Sequence, residues 1–231
     1  MMPDPNLHIL EEVAARLFPL LDSVVFVGGV TLGVLLTDTG GAPIRATIDV
    51  DVIAEIASYL DYIAFSEQLR ACGFTEDARP GAPLCRWLHG DLILDVMPIE
   101  ESVLGFSNRW YRGALYNSQQ LILPSKTSIR VITAPYFLGT KIEAFRSRGK
   151  QDFYESHDLE DFVSVIDGRP SLLDEIAATT QDLRIFLAEA AKELLMQPIF
   201  LDALPGYLMP DIASQQRLPG LIRKLEIISR T

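Results

Sequence analysis

A single carboxylate, Asp95, interrupts the otherwise continuous apolar run Leu92-Ile93-Leu94-Asp95-Val96-Met97. A run of that composition fits a strand buried on both faces, which belongs inside a sheet and not at its edge. A carboxylate in such a place is costly unless it is hydrogen-bonded, neutralised or bound to a cation. Taken alone, it reads equally well as a structural Asp that holds a loop. Either way it demands a covered sheet. With 48% hydrophobic and 22% charged residues the chain supplies a globular core. Its 231 residues suit one large domain, or one domain with a smaller appendage.

A second acidic stretch lies upstream. Ala46 to Ile53 reads as a strand, and side chains alternate faces along it, so Ile48, Val50 and Val52 point one way and Thr47, Asp49 and Asp51 the other. A lone D-x-D is most often a solvated acidic face. Asp is nevertheless a poor strand former, so two in one strand call for an explanation. With Asp95 on a neighbouring strand, three carboxylates would raise one another's pKa values unless a divalent cation sat among them. Oxygen-only ligands suit Mg2+ or Mn2+. Asp49, Asp51 and Asp95 are therefore the expected metal ligands.

Ahead of both, Val24-Val25-Phe26-Val27 reads as a strand ending at Gly28-Gly29, and Val30 to Leu36 as a helix. That order presents backbone N–H groups at a helix N-terminus, where anions bind. Thr31 would add a hydroxyl. A glycine pair by itself is a tight turn, and it gains weight from standing before the two acidic strands.

The remaining pattern is coarser. Apolar spacing predicts an opening amphipathic helix over 7–20, a Gly/Pro turn over 40–45, and a helix from Ser58 to Cys72 stopped by Gly73. A hairpin follows, Leu84 to Leu88 and Leu92 to Met97 around His89-Gly90-Asp91. Residues 104–133 read as loops and short strands. Helical segments are expected near 135–148, 156–167, 171–196 and 214–230, with Pro124 and Pro135 bracketing the change. The expected fold is α+β (α/β), a mixed-sheet core over 1–125 followed by a mainly helical region over 126–231.

Gly28-Gly29, the Arg45-x-Thr47-x-Asp49-x-Asp51 strand and the Asp95 strand together resemble the DNA polymerase β-like nucleotidyltransferase superfamily. Within it the chain is similar to the AbiEii/AbiGii toxin-type nucleotidyltransferases, through Lys141 in Leu138 to Arg146 and through His157-Asp158-Leu159-Glu160-Asp161. The likeness extends from residue 24 to about residue 167. It implies metal binding by Asp49 and Asp51, nucleotide phosphates on Gly28 and Gly29, assistance at the triphosphate by Lys141, and the late acid at Asp158 with Asp161 beside it. Two positions depart from the family. Gly29 stands where a serine is common, and His157 where an arginine is common.

The resemblance implies transfer of a nucleotide from an NTP to an acceptor hydroxyl, with pyrophosphate released. Asp95 would serve as third ligand or general base. RNA such as a tRNA 3′ end is one acceptor and a small molecule the other, and an antitoxin protein is the implied partner. A non-catalytic nucleotide-binding regulator of the same fold and an antibiotic nucleotidyltransferase are the alternatives.

A net charge of -11 argues against holding nucleic acid by bulk electrostatics. The local exception is Lys141, Arg146, Arg148 and Lys150, the expected place for a triphosphate or an RNA backbone. Trp110-Tyr111-Arg112 would stack on a base, although aromatic loop residues more often pack on the core. Arg45 would reach a phosphate or pair with the acids, and His8 and His89 carry no assignment. Cys72 and Cys85 read as free thiols. With no apolar stretch of membrane-spanning length and no signal peptide, a cytoplasmic location is expected.

Overall fold

The computed structural model describes residues 4–38, 44–147 and 152–231. They group into two compact units, Asp4–Gly33 with Arg45–Thr133, and Val34–Ile44 with Ala134–Thr231. The first unit opens with α1 (Leu7–Arg16), a 3-10 helix (Phe18–Ser23), β1 (Val24–Val27), a 3-10 turn (Gly29–Thr31) and the start of α2 (Leu32–Leu35). It continues with β2 (Asp49–Ala54), α3 (Tyr59–Ala71), β3 (Thr75–Glu76), β4 (Arg86–His89) and β5 (Leu92–Pro98). It ends with α4 (Glu101–Leu104), α5 (Tyr111–Tyr116), β6 (Gln119–Ile122) and β7 (Ser128–Val131).

These strands form one mixed sheet in the order β3-β4-β5-β2-β1-β7-β6. The pairs β2/β5 and β1/β7 are parallel and the rest antiparallel. Register puts Val50 opposite Leu94 and Val52 opposite Val96, with Trp87 opposite Leu94 on the other side. All five side chains are buried, so this face is core. The opposite face carries Asp49, Asp51, Asp95 and Arg86.

Several sequence expectations shift. The 7–20 helix ends at Arg16, because Pro19 has no N–H to continue the α pattern and its ring would meet the preceding turn. The expected Val30–Leu36 helix is a 3-10 turn followed by the single turn of α2. The acidic strand begins at Asp49 and not at Ala46. Ile48 is 73% exposed, and the backbone of Arg45 and Thr47 bonds to the Asn6 side chain instead of to a strand. The sheet runs past the expected boundary at 125/126, because β7 pairs with both β1 and β6. Residues 40–43 of the Gly/Pro turn, and Arg148 and Lys150, lie outside the described residues.

The second unit contains α6 (Ala134–Ser147), α7 (His157–Gly168), α8 (Leu172–Ala178), α9 (Gln181–Leu195), α10 (Pro198–Ala203), α11 (Ile212–Gln215) and α12 (Leu218–Ile228). The segment read as one helix over 171–196 is two, broken where Thr179 and Thr180 take extended backbone. α6 packs on α7 and α9, and α12 on α7, α8 and α9. Lys224 Nζ donates to the carbonyls of Ile166 at 2.6 Å and Asp167 at 3.0 Å, satisfying the C-terminal end of α7. Arg217 Nε bonds both Asp167 oxygens at 2.9 Å, and its Nη2 reaches Asp38 at 2.8 Å. Among the described residues no helix is long and apolar enough to cross a membrane.

Candidate active site

Four adjacent strands deliver one residue each to a row. Arg86 on β4 is opposite Asp95 on β5, Asp95 is opposite Asp51 on β2, and Asp51 is opposite Val27 on β1, immediately before Gly28. Paired residues share a sheet face, and Asp49 joins that face two residues back along β2. The three acids expected from the sequence are therefore neighbours.

Asp95 is 5% exposed, so its charge needs a partner. Arg86 provides it in a bidentate clamp, Nε to Oδ1 at 2.9 Å and Nη2 to Oδ2 at 2.7 Å. The same Nη2 reaches Asp49 Oδ2 at 3.2 Å. Hydrogen bonding and the charge of Asp95 push the Arg86 guanidinium above its ordinary pKa. Cys85 is buried behind these acids, and burial first, then the charge of Asp95, pushes its thiol up to about 12.

Asp49 Oδ1 accepts from the Thr47 hydroxyl at 2.8 Å. Thr47 is itself fixed by Asn6, a fully buried side chain whose amide donates to the Arg45 carbonyl at 2.9 Å and whose oxygen accepts from Thr47 N at 2.8 Å. Asp51 faces the glycine turn. Gly28 has φ +70°, a conformation that favours glycine. A Cβ added there would lie 2.0 Å from Asp51 Oδ2, so the turn approaches this carboxylate as only a glycine allows. Thr31 is fully buried and its hydroxyl donates to Gly28 O at 2.9 Å. That bond ties the hydroxyl to the glycine turn. A helical segment as short as the one that follows the turn adds little dipole.

Three carboxylates and one guanidinium leave a residual charge of two negative, within an oxygen-only donor set. That chemistry fits a divalent cation such as Mg2+ or Mn2+. As the side chains stand, Arg86 holds Asp49 and Asp95. Among the described residues no group of three or more His, Cys, Asp or Glu is so placed that it could hold a metal ion as the side chains stand. Accommodation of the ion by Asp49 would require this carboxylate to turn away from Arg86.

The second unit holds the later motif. Lys141 Nζ on α6 lies 2.6 Å from Asp161 and 3.4 Å from Asp158, both on α7 and both buried. The lysine and the two acids thus form a buried ion cluster. Arg146 pairs with Glu193 and lies over the Phe186 ring at 5.0 Å, so its charge is also engaged. His157 is exposed and pairs with Glu160 at 3.2 Å. In the first unit Trp110 is 4% exposed and packs in the core.

Two residues of the site escaped the sequence reading. Arg86 was findable, because the two-residue turn Gly90-Asp91 closes the hairpin at His89 and Leu92 and counting back pairs Arg86 with Asp95. Asn6 carried no such signal, since its contacts span about forty residues of chain.

No family model matches the chain, and no curated protein does either. Among solved structures the chain is similar to the crystal structure of an antigenic nucleotidyltransferase-like protein from Paracoccidioides brasiliensis. The TM-score is 0.51 at 18% identity, covering 91% of this chain and 96% of that one. This likeness concerns the fold: a mixed seven-stranded sheet with a helical C-terminal region, of nucleotidyltransferase-like type.

Proposed function

We propose that the protein is a metal-dependent nucleotidyltransferase that moves a nucleotide from an NTP to an acceptor hydroxyl and releases pyrophosphate. The observation that carries this reading is the row Asp51–Asp95 across parallel strands, with Asp49 beside it and a glycine turn pressed against Asp51. Asp49 and Asp51 would hold Mg2+ or Mn2+, which when bound supplies Lewis acidity against the phosphates. Gly28 and Gly29 present backbone N–H groups to the triphosphate. Arg86 donates to both oxygens of Asp95 and so fixes that carboxylate in place. This favours Asp95 as an oriented anion in the ligand set over a proton acceptor. By resemblance Lys141 assists at the triphosphate and Asp158 is the late acid, and RNA, a small molecule and a toxin–antitoxin setting belong to the same reading.

Incubation with each α-labelled NTP, Mg2+ and either total RNA or a small-molecule extract tests it. Label is expected in product with the wild type and not with Asp49→Ala. No label with any NTP, or equal label with the variant, would sink the reading. One observation favours a second possibility, a non-catalytic nucleotide-binding regulator: the Arg86 guanidinium already bridges Asp49 and Asp95. Nucleotide and Mg2+ binding without turnover would select it.

A further inference from the structure

The row on the acidic face of the sheet does not end at Arg86. Asp77 follows directly on β3, and its N–H donates to Arg86 O at 3.0 Å. That bond carries the β3/β4 register one residue beyond the pair Glu76 and Trp87, and sets Asp77 opposite Arg86. Residues opposite one another share a sheet face, so Asp77 joins the face of Asp49, Asp51 and Asp95. Arg86 therefore has an acid on each neighbouring strand position, Asp95 on β5 and Asp77 beyond β3, each backbone about 5 Å from its own.

Arg86 is bonded on one of these two sides. Its Nε and Nη2 serve Asp95 and Asp49, and Nη1 takes no part in those bonds. Asp77 is held by Arg79 instead, Nε to Oδ1 at 2.7 Å and Nη2 to Oδ2 at 2.5 Å. The Arg79 side chain is 68% exposed, and ion pairs so open to water are held loosely. Both arginines act on this acid. Hydrogen bonds from Arg79 bring the Asp77 carboxyl down to about 2, and the charge of Arg86 adds to the effect.

To serve a divalent cation, Asp49 must part from Arg86. Nη2 then loses an acceptor, and the guanidinium, 20% exposed, has two positive charges added beside it. Asp77 is an acid on the side of Arg86 away from β2, and its present partner is a loosely held one.

We propose that Asp77 is a positioning residue of the metal centre: as Asp49 turns to the ion, Arg86 keeps Asp95, exchanges Asp49 for Asp77, and displaces Arg79 into solvent. Arg86 then has two carboxylates before and after the ion binds, and its charge is drawn away from the ligand set. This inference rests on the metal reading of Asp49 and Asp51, and not on the transfer step.

Mn2+ titration of the full chain, followed by the electron paramagnetic resonance of the free ion, tests it in wild type, Asp77→Asn, Arg79→Gln and the double variant. Asn at 77 keeps an oxygen for the turn bond from Arg79 N, and circular dichroism with a urea midpoint checks each fold. Asp77→Asn is expected to weaken Mn2+ binding about five- to tenfold, because Arg86 loses its second dock. Arg79→Gln is expected to tighten binding several-fold, because that dock already stands open. The double variant separates an exchange of partners from the field of two distant charges. Removing both members of a neutral pair cancels a field and restores wild-type affinity, whereas exchange gives the affinity of Asp77→Asn. Arg79 should also react with phenylglyoxal several-fold faster in Mn2+ than without it.

Suppose Asp51→Asn abolishes Mn2+ binding. Wild-type affinity in the double variant, affinity indifferent to Asp77 and Arg79, or unchanged Arg79 reactivity then overturns the exchange and keeps the metal centre. Absence of Mn2+ binding by the wild type overturns both.

Discussion

At the scale of single residues, the site depends on one cation and one glycine. Removing Arg86 strands a carboxylate that is 5% exposed. Arg86→Ala is expected to cost about 3 kcal/mol in urea denaturation, since the partner of a broken buried pair keeps its charge. The double variant Arg86→Ala/Asp95→Asn should recover part of that loss, as no full charge is then left unpaired. Gly28→Ala meets a positive φ and the Asp51 carboxylate together. A destabilisation of about 1–2 kcal/mol from backbone strain is expected, with Mn2+ affinity falling more than stability because Asp51 must move. Equal Mn2+ affinity in wild type and variant would contradict the contact. Cys85 gives a pH test. Its thiol pKa is raised from 9.0 to about 12, so the native state holds its proton where the unfolded chain releases it. The corresponding stability is present below pH 9 and lost as pH climbs towards about 12. At pH 8.5 a thiol reagent should modify the half-buried Cys72 well before Cys85, and simultaneous modification would contradict this burial.

At the scale of elements, the lone acid in an apolar strand was legible because a buried charge is costly wherever the strand goes. Face alternation and the poor strand propensity of Asp singled out Asp49 and Asp51, but their strand was drawn too early. A strand needs a partner for its backbone, and at Arg45 and Thr47 that partner is the Asn6 side chain, invisible to local pattern. The helices over 7–20 and 171–196 were over-extended because apolar spacing persists through Pro19 and Thr179-Thr180, where backbone geometry breaks it. The start of α3 was legible at Ser58, which accepts from Asp61 N as the N-cap, while Asp61 accepts from Ala57 N. The role of Asn6 makes a prediction at this scale. Asn6→Ala removes the bonds holding the approach to β2, and should cost about 2 kcal/mol while raising amide exchange at Thr47 selectively. Uniform exchange across β2 would show that Asn6 merely supports the unit.

At the scale of the whole molecule, the chain divides its recognised motifs between two units, the glycine turn and three acids in one and Lys141 with Asp158 and Asp161 in the other. The two groups are differently equipped. The first combines three acids with one arginine, while the second buries a lysine between two acids. A net charge of -11 makes loose electrostatic capture of nucleic acid unfavourable. Any RNA binding should therefore show a log K against log salt slope of magnitude below about 2, and a steep slope would reveal a basic surface that the engaged Lys141 and Arg146 do not supply. The central claim is that the carboxylate row on β2 and β5 performs nucleotidyl transfer. Its most direct test is pyrophosphate released per protein from each NTP in Mg2+, in wild type and in Asp51→Asn. Release by the wild type that chelation and Asp51→Asn both abolish is the expected result, and no release from any NTP, or equal release by the variant, would contradict it.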